Sequence, residues 1–146
     1  MRVYIAGPMT GYRDYNFAAF EAAQAEWIQR GHVAVTPFDA GDVVWMRHFG
    51  RRFNGATDRC DYGDPLLREI FVEDIRHLLS AEAILLLHGW ERSTGACIER
   101  RIAEAFGLDV FYECEPIPAD EAEQLRAIEE AMGQATVGVL DEDEEC

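Results

Sequence analysis

Lysine is absent from the 146 residues; all thirteen basic side chains are arginine. Schiff-base chemistry through a lysine amine is therefore excluded. Cysteine is scarce, and the four present (Cys60, Cys97, Cys114, Cys146) show no CxxC spacing. Neither a zinc site nor a disulfide framework is indicated, and each reads as a buried or incidental thiol. No apolar run approaches the ~20 residues that span a membrane. The opening "MRVYIAGPMTG" meets glycine and proline too soon for a signal peptide, so the expected location is the cytoplasm. Positive charge is also short: the net charge is −15. No basic face offsets that field, which excludes a nucleic-acid polymer as partner. The dinucleotide pattern GxGxxG and the GK[ST] of a P-loop are missing, so no NAD or ATP reading follows. The expectation is a protein without metal or cofactor.

The acidity is uneven. Residues 113–146 hold twelve acidic residues and one basic, Arg126. The closing "DEDEEC" reads as a solvated tail. Before it, short apolar runs alternate with helical patterns. Strands are expected at "RVYIA" (2–6), "HVAVTP" (32–37), "AILLLHG" (83–89) and "DVFYE" (109–113). Helices are expected at 16–30, 65–80, 93–106 and 119–133. Asn16 reads as an N-cap, with Phe17, Phe20, Ala23, Trp27 and Ile28 buried behind it. Residues 38–65 read as a short helix plus a long loop. Its Arg47, Arg51 and Arg52 are either solvated surface charges or a lid over an anionic ligand. The alternation predicts an α/β fold: one flavodoxin-like or Rossmann-like domain over 1–133, a roughly five-stranded parallel sheet with helices on both faces, and an acidic tail over 134–146.

Two carboxylates break the amphipathic pattern. In "STGACIERRIAEAF" (93–106), Glu99 shares the core-facing stripe of Ile102, Ala103 and Phe106. In "PLLREIFVEDIRHLLS" (65–80), Asp74 lies within the stripe of Leu67, Ile70, Phe71, Ile75 and Leu78, while Glu73 is expected to point away. A buried unpaired charge costs several kcal/mol or more, so such residues need a partner or a role. Ligands of parallel sheets bind at the carboxyl ends of the strands. Ser93 is a natural N-cap. Gly95 admits a ligand to the backbone, and the free amides of this first turn suit an anion. The turn Gly7-Pro8-Met9-Thr10-Gly11, after the first strand, is expected alongside.

These segments resemble the nucleoside 2-deoxyribosyltransferase family over residues 2–112. The resemblance includes its branch of 2′-deoxynucleoside 5′-monophosphate N-glycosidases. It also extends to small phage-borne proteins with similar "YIAGPMTG" and "GWE-S-GA---E" segments. It implies that Glu99 is the nucleophile, that Asp74 handles the base and leaving group, and that Tyr4 orients Glu99, although Tyr4 reads equally as a strand core residue. Gly7, Pro8, Met9, Ser93, Thr94 and Gly95 would bind substrate. Transferases of the family carry an aspartate for the sugar 5′-hydroxyl six residues before the glutamate. Here that position is Ser93, as in the monophosphate glycosidases, whose serine accommodates the phosphate. The implied partner is a small deoxynucleotide or deoxynucleoside, in a homodimer or higher homo-oligomer. The competing expectation is a non-catalytic module that sequesters a nucleotide on the same scaffold.

Overall fold

The structure is a computed structural model, described here for residues 1–58, 65–118 and 121–133. Four strands form one parallel sheet: β1 (Arg2–Ala6), β2 (Val33–Val35), β3 (Ala83–Leu86) and β4 (Asp109–Tyr112). Their order is β2-β1-β3-β4. In β1, Tyr4 pairs with Val35 on one side and Ile84 on the other. The chain adds β2 to one edge of β1 and then crosses to the other for β3, so the order reverses between β1 and β3. This is the flavodoxin-like arrangement, with its ligand crevice at that reversal.

The α/β class and parallel sheet agree with the sequence reading. The strand count does not: four strands, rather than about five, are present among the described residues. The short helix expected in the stretch after β2 is present and begins earlier than expected. Thr36 and Pro37, expected to close the strand, open helix α2 (Pro37–Phe49). Proline suits the first helical position, and the Asp39 carboxylate accepts the Thr36 N–H at 2.8 Å. The expected tail at 134–146 lies outside the described residues.

Alternation along β1 sorts its side chains onto two faces. Val3 and Ile5 join Phe20, Ala23 and Trp27 of helix α1 (Phe17–Gln29) in one core. Tyr4 and Ala6 face the other way, toward helices α3 (Pro65–Leu79) and α4 (Thr94–Ala105), and share a core with Leu78, Ile84, Leu86, Ala96 and Ala103. Phe17, Ile28 and Phe106, all expected inward, are exposed. They lie at or near helix ends. Helix α5 (Glu121–Gly133) leaves Leu125, Ile128 and Met132 exposed. Cys114, read from sequence as a thiol, is disulfide-bonded, whereas Cys97 is free. Among the described residues no helix is long and apolar enough to cross a membrane.

Candidate active site

Tyr4, Asp74 and Glu99 come from three elements, β1, α3 and α4, and meet beneath the sheet. Their exposures are 0%, 7% and 5%. Helical periodicity turns each carboxylate inward, as the sequence requires. Among the described residues no cation pairs with either carboxyl group, and Tyr4 Oη, Asp74 Oδ1 and Glu99 Oε2 are buried with no hydrogen-bond partner of good geometry. All three still lie close enough to shift one another's ionisation. Glu73, expected outward, is buried, and its carboxylate takes Arg47 Nη2 of α2 at 3.3 Å. Helix α2 packs against α3 and covers the side that the isolated helix pattern assigns to water.

Burial holds Glu99 up at about 8, against an ordinary 4.5, and the Tyr4 hydroxyl acts in the opposite sense by favouring the carboxylate. Asp74 is held well above the usual carboxylate range, first by burial and then by the charge of Glu99. The Tyr4 hydroxyl opposes the shift, and Glu73 adds to it. The Tyr4 phenol is itself raised, by burial and then by the two carboxylates. Two adjacent buried carboxylates resist ionising together.

The loops that frame this pair lie at the carboxyl ends of β1 and β3. Gly7 follows β1, and a Cβ there would sit 2.8 Å from Leu87 Cβ, so only glycine lets the two chain segments approach. Pro8 is buried and its carbonyl accepts from Asn16 Nδ2 at 3.0 Å; Met9 is partly buried. Asn16 stands at the N-cap of α1 but caps nothing with its side chain, which ties down the loop instead. Asp14, Tyr15 and Asn16 all adopt positive φ, from 49° to 64°. Such conformations cost non-glycine residues about 1–2 kcal/mol each and are found where function holds a loop in place. Ser93 caps α4, its Oγ accepting from Ala96 N at 3.2 Å. That leaves its hydroxyl proton available, and the N–H groups of Thr94 and Gly95 have no intrahelical acceptor. The Cβ position of Gly95 lies 3.9 Å from Glu99 Oε1 and 4.0 Å from both Phe71 Cε2 and Ser93 Oγ. Ser93, Gly95 and Glu99 thus border one space.

The arginines of the 38–58 stretch are engaged within the protein. Arg51 forms a two-pronged pair with Asp58 at 2.7 and 2.9 Å, and Arg52 meets Asp42 at 2.7 Å. Of the two expectations for this stretch, the ion pairs favour surface charges over a ligand lid. Sequence reasoning missed Phe71 as a wall of the site, treating it only as core. It also passed over Tyr12 and Arg92, which close over Gly89: the Cβ position of that glycine, at φ 87°, lies 3.2 Å from Tyr12 Oη and 3.2 Å from Arg92 Nη2.

The profile of a family described as a domain of unknown function, DUF4406, matches residues 1–58 and 66–112. The chain belongs to the DUF4406 family. The match takes in both framing loops and the site residues Tyr4, Asp74 and Glu99 of this DUF4406 chain. No curated protein matches it. Among solved structures it is similar to the 2-deoxyribosyltransferase of the psychrotolerant bacterium Bacillus psychrosaccharolyticus. The TM-score is 0.52 at 16% sequence identity, over 77% of this chain and 71% of that one. At that identity the likeness shows a shared fold.

Proposed function

We propose that this protein cleaves the N-glycosidic bond of 2′-deoxynucleotides, with 5′-monophosphates preferred, by hydrolysis or by transfer of the deoxyribosyl group to another base. The observation that carries the reading is the pair of buried, unpartnered carboxylates, Asp74 and Glu99, brought together beneath Tyr4. The fold shared with a 2-deoxyribosyltransferase supports it. A purely structural role would leave two buried carboxyl groups without hydrogen-bond partners, at about 1–3 kcal/mol each.

Glu99, as carboxylate, attacks C1′ while the bond from C1′ to the base nitrogen breaks, through an oxocarbenium-like state. The electron pair leaves with the base, which takes the proton of Asp74. Asp74, now a carboxylate, removes a proton from water or from a second base. That nucleophile attacks C1′ and frees Glu99. Tyr4 favours the charged form of Glu99 by directing its hydroxyl there. Gly7, Pro8 and Met9 hold the substrate from the β1 side. Ser93, Thr94 and Gly95 meet its 5′ group with one hydroxyl and two backbone amides at the positive end of α4. An aspartate at 93 would repel a phosphate dianion; a serine donates to it.

The test is incubation of the full chain with deoxynucleosides and their monophosphates, following release of free base. Base is released in wild type, faster from the monophosphates, and not in Glu99→Ala. Binding of a monophosphate without any base release returns the protein to a non-catalytic nucleotide-binding module.

A further inference from the structure

Arg92 stands at odds with helix electrostatics. It immediately precedes Ser93, the N-cap of α4, where the helix dipole and open amides already present positive charge. A cation is disfavoured there and an anion favoured. Yet among the described residues no carboxylate pairs with Arg92, although the chain carries a large excess of acid. Tyr12, from the loop after β1, approaches the same point. Arg92 Nη2 and Tyr12 Oη each lie 3.2 Å from the Cβ position of Gly89, so the two are no further apart than twice that distance. Pro8 Cγ is 3.3 Å from it. The positive φ of Gly89 and its missing side chain allow this convergence, which spans the crevice between the β1 and β3 loops.

The guanidinium also reaches solvent. Arg92 and Thr94 line an open groove of about 310 Å³ with Glu91, Cys97, Ile98 and Arg101. Its two arginines outweigh its one carboxylate. This groove runs along the solvent face of α4, whereas Glu99, whose Oε2 is buried and unpartnered, lies on the core-facing side with Gly95 and Ala96. The point where Arg92 and Tyr12 converge over Gly89, beside the first turn of α4, is thus cationic with open donors.

We infer that Arg92, assisted by the Tyr12 hydroxyl, clamps the 5′-phosphate of the substrate and sets the preference for monophosphates. The inference rests on the reading given under Proposed function. A guanidinium presents a planar fork that matches two phosphate oxygens, and the tyrosine hydroxyl supplies a third donor. In this arrangement the phosphate supplies the anion that the α4 N-terminus and Arg92 lack in the free protein.

The test uses 2-deoxyribose 5-phosphate and 2-deoxyribose as paired probes, titrated calorimetrically into the full chain. Wild type binds the phosphate form at least tenfold more tightly. Arg92→Gln removes most of that difference, Arg92→Lys part of it, and Tyr12→Phe several-fold. The effect of losing hydrogen bonds to an ionised group is about tenfold or more. In the base-release assay, Arg92→Gln lowers kcat/KM for a monophosphate about tenfold more than for its parent nucleoside, and mainly through KM. The side chain is exposed, so the variant keeps its fold. Equal phosphate affinity in wild type and Arg92→Gln overturns the clamp, as does a wild type that binds both probes alike. Arg92-dependent phosphate binding without base release keeps the clamp and removes the glycosidase reading. Base release with a monophosphate preference unchanged in Arg92→Gln does the reverse.

Discussion

Gly95 leaves open the space in front of Glu99: a Cβ at residue 95 would stand 3.9 Å from Glu99 Oε1. That is ordinary van der Waals contact, so the free protein accommodates alanine without strain. Alanine also favours a helix over glycine by roughly 0.5–1 kcal/mol. Gly95→Ala is therefore expected to keep or slightly raise the Tm while lowering kcat/KM at least tenfold, because the methyl occupies space the sugar needs. Thermal melts and base-release kinetics on one preparation check both halves. Unchanged kinetics would mean that the substrate does not pass this side of Glu99.

Glu99 also predicts an unusual pH dependence of stability. An unfolded glutamate titrates near ~4.3, whereas burial holds Glu99 at about 8 in the folded chain. The folded state binds the proton more tightly. The associated stability is complete below the unfolded value and is lost as pH rises through about 8. The loss is roughly 2–5 kcal/mol at about 1.4 kcal/mol per unit, and Asp74 acts in the same direction. Glu99→Gln removes the share of Glu99. It should match wild type near pH 5 and exceed it by a few kcal/mol at pH 8.5 in urea denaturation. A wild-type stability that stays flat across this range would contradict the buried, unpaired state of Glu99.

Asp74→Asn separates proton donation from positioning. Acid assistance is typically worth ~10²–10⁴-fold, and a leaving group that departs without a proton does not need it. The variant should lose that factor on natural bases and far less on a nitrophenyl-type leaving group, measured as kcat/KM. Equal losses on both would leave Asp74 as a residue that only holds the base.

Tyr4→Phe removes the hydroxyl that favours the ionised forms of Glu99 and Asp74. Without it Glu99 titrates higher still, so the acid limb of the kcat/KM profile moves to higher pH and activity near neutrality falls. The second ionisation of a substrate monophosphate, near ~6, lies below this limb and does not mask it. An unmoved limb would make Tyr4 a core residue and nothing more.

Periodicity along the chain was enough to place Asp74 and Glu99 on inward faces, to make Ser93 a helix cap and to order the parallel α/β elements. Those features depend on neighbours within one or two turns, and a single helix or strand carries them. Contacts between distant segments decided the rest. The helix at 37–49 packs against α3, so Glu73 is buried beside Arg47. Arg51 and Arg52 found Asp58 and Asp42 across a loop whose path no local pattern dictates. Strand alternation assigns Tyr4 a face, but only the packing of α3 and α4 on that face brings its hydroxyl to the two carboxylates. Gly89, Tyr12 and Arg92 converge only because β1 and β3 are neighbours in the sheet. Burial and charge proximity are properties of the assembled layers, so the ionisation of Glu99 and Asp74 was set by tertiary structure, on residues whose orientation the sequence had already determined.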